Sequence, residues 1–165
     1  YWLSTITTFF SSFLHQKIIK TYDECWIPDT SDSQFSGKLS STKKNLNYKF
    51  IGVLSRFKKE VVEKKIDILV LLSGPEPNQT LLETKLISEF KNDPRNIVFV
   101  LGIVAGNQKK WTVGNNTFYN YLLSNALQKI INASEIIISR SGYSSIMDYA
   151  ILRKKVFFIP TENQP

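Results

Sequence analysis

Three short segments of the chain carry residue types that could bind a phosphorylated ligand. The first, at 72–80, follows an apolar run and contains Ser73, Gly74, Pro75 and Glu76. The glycine would let the backbone approach a phosphate closely, because it has no Cβ. The two prolines of the segment remove amide donors. Taken alone, the segment therefore fits an ordinary turn better than a phosphate cradle.

The second segment, at 138–148, ends a β-rich run and begins a helical pattern. Its polar and small residues are Arg140, Ser141, Gly142, Tyr143, Ser144, Ser145 and Asp148. Backbone amides at such a helix start would point at a ligand, and the helix dipole favours an anion there by about 0.3–1 kcal/mol. Asp148 could accept hydrogen bonds from two sugar hydroxyls. It also has capping-box spacing from Ser145, so both interpretations of the carboxylate stand.

The third segment is the run G-V-L-S-R at 52–56, which ends in Arg56. A guanidinium at the end of a strand could bind a diphosphate through two N–H groups, although a plain surface arginine fits as well. The sequence does not support a metal-dependent site or a P-loop nucleotide site. The sequence has no D-x-D pair to hold a metal-bound diphosphate, no P-loop pattern and a single histidine, His15, without metal-ligand spacing to any other residue.

The elements that must position these segments follow from the apolar pattern. Strand-length apolar runs occupy 48–54, 66–72, 97–104, 117–121, 136–139 and 156–159, and helical patterns occupy 57–65, 81–90, 125–132 and 145–152. Strands that alternate with helices predict an α/β fold, a Rossmann-like parallel sheet flanked by helices. Ligands of such sheets bind at the carboxyl ends of the strands, where all three segments are predicted to lie.

The chain before this pattern is organised differently. An amphipathic helix is predicted over 1–21 and a short strand over 24–27, and the polar stretch at 30–47 predicts a linker. The predicted sheet domain therefore covers 48–165. The helix could lie on a membrane, but packing against its own protein is favoured because its polar face is mostly uncharged.

Charge and cysteine usage limit the partners. The formal charge of +7 and the pI of about 9.4 favour either an anionic partner or a solvated basic surface. The lysine pairs are not interleaved with aromatic residues, so nucleic-acid binding is not expected. The single cysteine, Cys25, excludes an internal disulfide and a zinc site built on several thiolates.

Four motifs together resemble a known family. They are G-V-L-S-R at 52–56, S-G-P-E-P-N at 73–78, S-R-S-G-Y-S-S-I-M-D at 139–148 and V-F-F-I-P at 156–160. They are similar to the C-terminal, donor-binding domain of two-domain (GT-B fold) glycosyltransferases, especially the bacterial peptidoglycan N-acetylglucosaminyltransferases that convert lipid I to lipid II. The resemblance implies that 1–29 is the tail of an N-terminal acceptor domain. It also implies that the sugar contacts lie beyond Pro165 and that the catalytic residues lie outside this chain.

The resemblance further implies a UDP-sugar donor, usually UDP-N-acetylglucosamine, and inverting transfer to an acceptor hydroxyl without a cofactor or metal. Arg56 then matches the arginine near the diphosphate, and residues 73–76 match the loop beside the phosphates. Residues 142–145 match the helix start that holds the diphosphate. Leu123 and Ser124 match the segment that packs on uracil. Asp148 stands where the family usually carries a glutamate that binds both ribose hydroxyls.

Two other functions remain open from the sequence. The chain could be a non-catalytic donor-binding subunit of a two-chain glycosyltransferase. It could also resemble the sugar-nucleotide 2-epimerases, although their acidic pair after the glycine turn is not supplied by Met147 and Asp148. The lipid-linked acceptor of the glycosyltransferases implies a cytoplasmic location, and the basic surface permits peripheral contact with the inner face of the membrane.

Overall fold

The computed structural model of the chain describes residues 2–32, 35, 37 and 47–160, with side chains from residue 11 onward. The chain divides into two compact units, one up to Leu54 and one from Ser55 onward. The first unit contains helix α1 (Trp2–Ile19) and two short parallel strands, β1 (Cys25–Ile27) and β2 (Tyr48–Phe50).

The strand predicted at 48–54 is therefore shorter than expected and has another partner. Its ordered part, β2, pairs with β1 through the register Cys25 to Tyr48, instead of joining the large sheet. Most of the linker predicted at 30–47 lies outside the described residues. The division of the chain into an acceptor-domain tail, a linker and a donor domain stays a prediction.

The second unit is a three-layer α/β structure around a six-stranded sheet. Its elements are β3 (Ile66–Leu71), α2 (Asn78–Glu89), β4 (Ile97–Val100), β5 (Lys110–Val113), β6 (Asn116–Tyr119), α3 (Ser124–Ala133), β7 (Ser134–Arg140), α4 (Tyr143–Leu152) and β8 (Lys155–Ile159). The strand order is β5-β6-β4-β3-β7-β8. All neighbouring strands are parallel except β5 and β6, which form a hairpin. The predicted α/β fold with a mostly parallel sheet is confirmed.

The strand order locates the place where a ligand can enter. From β3 the chain builds outward through β4 and β6, then returns to place β7 on the other side of β3 and continues to β8. The direction of winding thus reverses between β3 and β7, whose register runs from Ile66–Ser134 to Leu71–Ser139. In open α/β sheets, the crevice for the ligand opens at this reversal, outside the carboxyl ends of the strands.

Apolar side chains cover both faces of the central strands, as expected for parallel strands between two helix layers. Alternate residues of β3 separate the two cores: Leu69 points to the side of α3 and α4, whereas Ile68 and Val70 point to the side of α2. The first core contains Leu127, Ile131, Ile137, Tyr149 and Leu152, and the second contains Ile97, Phe99 and Phe118.

One local prediction is wrong, and one strand was missed. The helix predicted at 57–65 is an extended segment without regular structure. The α3 side chains hold it, because the amide of Asn132 accepts from Glu60 N at 3.2 Å and donates to Lys58 O at 3.0 Å. Strand β5 was not predicted, although Gly114-Asn115 between Val113 and Asn116 is a two-residue hairpin signal.

None of the described helices is long and apolar enough to cross a bilayer.

Candidate functional site

Asp148 is the centre of a small polar cluster at the carboxyl edge of the sheet. The Ser55 hydroxyl donates to its Oδ1 at 2.5 Å, and Arg56 Nε lies 4.0 Å from its Oδ2. The side chain is only 13% exposed. Asp148 lies in the middle of α4, so the capping of its own helix that the sequence allowed is not what the carboxylate does. Instead it fixes the segment that carries Arg56.

The side chain of Arg56 is mostly exposed and is positioned by one aromatic ring. Its side chain is 61% exposed, and its guanidinium carbon lies 4.8 Å from the centroid of the Phe57 ring. Phe57 is buried in the core and its amide donates to the Ser55 Oγ at 3.0 Å. The stacking on Phe57 fixes where the guanidinium lies, while its exposure leaves N–H donors accessible to an anion.

The N-terminus of α4 faces the same edge. Gly142 occupies the N-cap position with φ −66° and ψ 140°, and among the described residues no side chain caps the helix there. Helix geometry gives the first amides of α4, including those of Ser144 and Ser145, no acceptors within the helix itself. A helix start of this kind favours an anion through both its amides and its dipole.

The loop after β3 lies next to this turn, since β3 and β7 are neighbours. Gly74 is exposed with φ +135°, and a Cβ on it would meet nothing within 4 Å. A ligand could therefore approach the backbone at Gly74 without meeting another part of the protein. Glu76 acts differently, because its Oε2 accepts from Thr80 N at 3.2 Å and from Thr80 Oγ1 at 2.8 Å. The acidic side chain thus stabilises the start of α2, and a phosphate would meet the loop through its backbone.

This contact also corrects the predicted start of α2. The helical pattern in the sequence predicts a helix from residue 81, but the helix begins at Asn78. Burial, and then the charge of Glu76, raise the pKa of Glu83. The two carboxylates therefore lie close enough for their charges to repel each other.

Arg140 joins the loops at the carboxyl ends of β7 and β8 to the start of α2. Its guanidinium donates to Pro160 O at 2.9 Å and to Asn78 O at 3.1 Å. It thus connects the ends of β7 and β8 with the first residue of α2. Because two of its N–H groups bind backbone carbonyls, we assign it to holding the loops in place. Ser141 next to it is exposed.

Leu123 and Ser124 lie farther along the same edge. Leu123 is the N-cap residue of α3 and is 67% exposed, and Ser124 is exposed beside it. Both follow β6, which is two strands away from β3. An exposed apolar side chain beside a helix start offers a flat contact for a ring and backbone groups for its edge.

A buried pair of hydroxyls supports the turn before α4. Tyr149 OH donates to Ser139 Oγ at 3.0 Å, and the Ser139 hydroxyl donates to Arg140 O at 3.2 Å. Burial raises the pKa of Tyr149 to about 12, against the opposing hydrogen bond with Ser139, and the nearby charge of Asp148 adds to the rise. The phenol is therefore neutral at ordinary pH and ties α4 to the end of β7.

The structure joins two of the residues that the sequence singled out, Arg56 and Asp148, and places the 73–76 loop and the turn before α4 at the ends of neighbouring strands. Asp148 contacts the segment that carries Arg56, and its helix follows the turn at Gly142. The 73–76 loop follows β3, the strand next to β7. Sequence reasoning missed Ser55, whose hydroxyl orients the carboxylate. The only signal for it was its position inside the G-V-L-S-R run. Within the described part of the chain, no three His, Cys, Asp or Glu side chains are grouped as a metal site.

A family of known proteins matches about two thirds of the chain. No curated protein and no solved structure matches the chain. The family described as glycosyltransferase family 28 C-terminal domain matches residues 57–165. This range contains the whole six-stranded sheet and all the loops of the candidate site except Ser55 and Arg56. The chain therefore belongs to glycosyltransferase family 28 and carries its C-terminal, nucleotide-sugar donor-binding domain.

Proposed function

We propose that this chain binds the nucleotide diphosphate of a UDP-sugar, with UDP-N-acetylglucosamine as the donor, at the crevice between β3 and β7. The observation that carries the proposal is the cluster of Ser55, Arg56 and Asp148 on α4, a helix whose N-terminus has no side-chain cap among the described residues. It combines a cation, a helix N-terminus and a fixed carboxylate at the point where the winding of the sheet reverses.

In this proposal each group has one role. The amides of Ser144 and Ser145 and the Arg56 guanidinium meet the negative charge of the diphosphate. The 73–76 loop approaches it with its backbone at Gly74, where no Cβ intervenes. Asp148 accepts from a ribose hydroxyl mainly through Oδ2, since Oδ1 already accepts from Ser55.

The base of the nucleotide is proposed to lie at the start of α3. Leu123 is largely exposed there and packs on the uracil ring, while Ser124 and the nearby backbone contact the edge of the ring. Apolar surface against a flat ring, with polar groups at its edge, is the usual composition of such a pocket.

The same groups suit the chemical step that the family implies. We propose an inverting displacement in which an acceptor hydroxyl attacks the anomeric carbon and UDP leaves. The departing diphosphate gains negative charge, and donors that are already oriented towards it stabilise that charge in the transition state. Arg56 and the first turn of α4 would serve as these donors. The acceptor site and the base belong to the N-terminal domain that accompanies this domain in the family.

The location of the protein is also part of the proposal. A lipid-linked acceptor, as in the conversion of lipid I to lipid II, would place it in the cytoplasm with peripheral contact at the inner face of the membrane. The formal charge of +7 supports contact with an anionic surface.

Titration calorimetry with UDP, CDP, GDP and dTDP tests the site. We expect UDP to bind best, and Asp148→Asn to weaken it by about tenfold or more, because a hydrogen bond to a charged group contributes about 1.5–3 kcal/mol. Asp93→Asn is the matched control, since Asp93 pairs with Arg95 away from the site. Equal affinities for all four nucleotides would refute the uracil contact. An unchanged affinity of Asp148→Asn would refute the ribose contact.

A further inference from the structure

Two lysine side chains meet at the opposite edge of the sheet, where α3 ends. Lys64 Nζ donates to the carbonyl oxygen of Asn132 at 2.5 Å. Lys154 Nζ donates to the same oxygen at 2.9 Å and to Ser134 O at 2.8 Å. Because both nitrogens share one acceptor, they lie close to each other.

The arrangement of acceptors suits a neutral amine at Lys154. An ammonium has three N–H donors, whereas a neutral amine has two donors and one lone pair. The carbonyls of Asn132 and Ser134 match the two donors of the neutral form. The lone pair is then available to accept from the ammonium of Lys64, so the pair can share a single positive charge.

The electrostatics favour the same state. Burial, then the hydrogen bond and the charge of Lys64, and then the charge of Lys59 lower the pKa of Lys154 to about 7. The charged groups that act on Lys154 thus both come from the 57–65 segment and are both cationic, while α3 and β7 contribute carbonyls. A desolvated lysine beside a second cation is one of the ways in which proteins make an amine nucleophilic at neutral pH.

We propose that Lys154 is a nucleophilic amine and a site of Nε-acylation by small acyl phosphates. The hydrogen bond from Lys64 opens first, while Lys64 keeps its bond to Asn132 O, and the freed lone pair of Lys154 attacks the acyl carbon and forms the C–N bond. The C–O bond to phosphate breaks, the phosphate leaves with the electron pair, and the nitrogen gives its extra proton to solvent. Neighbouring cationic side chains at Lys59 and Lys64 attract the anionic reagent.

Capping of α3 is the alternative explanation of these contacts, since cations stabilise the C-terminus of a helix. A cap that acts through its charge on the helix dipole requires the ammonium form of Lys154 and predicts an unreactive nitrogen. The two explanations therefore differ in what the amine does at pH 7. Acylation would also leave the amide nitrogen with one N–H, so one of the two carbonyls would lose its partner.

The test uses the full chain and acetyl phosphate, with site-resolved mass spectrometry from about pH 6 to pH 10, the interval that brackets a shifted and an ordinary lysine. Lys129, exposed on α3, is the internal reference. We expect Lys154 to be acetylated at least about tenfold faster than Lys129 at pH 7, since an ordinary lysine has a pKa near 10.4. Its rate should level off above about pH 8, whereas the rate of an amine with the usual lysine pKa would rise up to about pH 10. Equal rates at neutral pH, or parallel pH profiles, would overturn the proposal.

Variants at Lys64 separate activation from simple accessibility. Lys64→Arg keeps a cation beside the amine and should preserve the rate at Lys154 within about twofold. Lys64→Gln removes that cation and should slow the reaction severalfold, because the pKa of Lys154 then moves towards its usual range. An unchanged rate in Lys64→Gln contradicts activation by the pair. Thermal unfolding of each variant shows that it is folded, and the comparison with Lys129 in the unmodified sequence needs no variant.

Discussion

Two arginine–aspartate pairs on the same sheet domain differ in how tightly they are bound. Arg95 and Asp93 form a closed pair, with Nε donating to Oδ1 at 2.9 Å and a terminal nitrogen to Oδ2 at 2.6 Å. These hydrogen bonds lower the pKa of Asp93 to about 2. Arg56 approaches Asp148 only to 4.0 Å.

The difference supports different roles for the two pairs, a structural one for Arg95 and Asp93 and the proposed binding role for Arg56 and Asp148. In the closed pair the two groups satisfy each other and fix the turn before β4. In the open pair a serine holds the carboxylate, and the guanidinium is stacked on a ring with most of its surface exposed. A group that binds a ligand must be positioned without having its donors consumed, and only the open pair meets this condition. The two pairs are therefore matched test and control positions.

Removing the guanidinium of each pair should give the largest contrast. Arg56→Gln should weaken UDP binding about 10- to 100-fold, because a charged hydrogen bond contributes about 1.5–3 kcal/mol. Arg95→Gln should leave the affinity unchanged, since its donors bind Asp93. Calorimetry on both variants measures the contrast. Equal losses of affinity would show that general charge, and not the Arg56 position, attracts the nucleotide.

Two glycines near the candidate site separate binding from stability. A Cβ on Gly102 would lie 2.7 Å from Leu72 O, at a φ of +73°, so Gly102→Ala should lower the free energy of unfolding by about 1–3 kcal/mol. A Cβ on Gly142 would meet Ser145 Oγ at 3.7 Å, and Gly142→Ala should cost at most about 1 kcal/mol as a poorer cap.

Only the second glycine variant should lose affinity for UDP, because the added methyl group would project at the helix start where the diphosphate is proposed. Chemical denaturation gives the stabilities and calorimetry the affinities. If Gly142→Ala binds UDP normally, the diphosphate does not approach that turn.

Ser55→Ala sharpens the contrast by loosening the open pair while keeping both of its charges. The variant removes the donor to Asp148 and the acceptor for Phe57 N. Stability should fall by about 1 kcal/mol, and UDP should bind several times more weakly because the carboxylate is no longer oriented. Ser88→Ala on the exposed face of α2 is the control. A loss of stability without loss of affinity would make Ser55 a purely structural residue.

The smallest effect is expected from acid on the closed pair. The pKa of Asp93 lies at about 2 in the folded chain against a usual 3.8. The unfolded chain therefore takes up this proton first, and the contribution of Asp93 to stability is present above about pH 4 and is lost as the pH falls towards about 2. The difference in unfolding temperature between the unmodified chain and Asp93→Asn should shrink over this interval. A constant difference would contradict the lowered pKa.

The sequence predicted the sheet better than it predicted the segments around it. Strands β3 and β4 are buried on both faces, so their apolar runs are continuous and hard to mistake. The segment 57–65 fails because its backbone hydrogen bonds come from the side chains of Asn132 and Gln128, which lie far later in the chain. No local pattern contains that information.

In the candidate site too, the sequence predicted the features set by local spacing and missed those set by distant residues. The turn at Gly142 and the aspartate in its helix were predicted from local spacing alone. The spacing could not decide whether Asp148 caps its helix or acts elsewhere, because the deciding partner is Ser55, on a distant segment. Likewise, Arg140 and Glu76 looked like ligands from their positions in loops, whereas the fold uses both to fasten backbone groups.

The guanidinium of Arg140 has a mechanical consequence for the domain. It fastens the end of β8 at Pro160 and the beginning of α2 at Asn78 to the last residue of β7. Three pieces of chain that are far apart in sequence are thus linked through one rigid, planar group. Moving the end of β8 or the beginning of α2 away from β7 would therefore require a hydrogen bond of this one side chain to break.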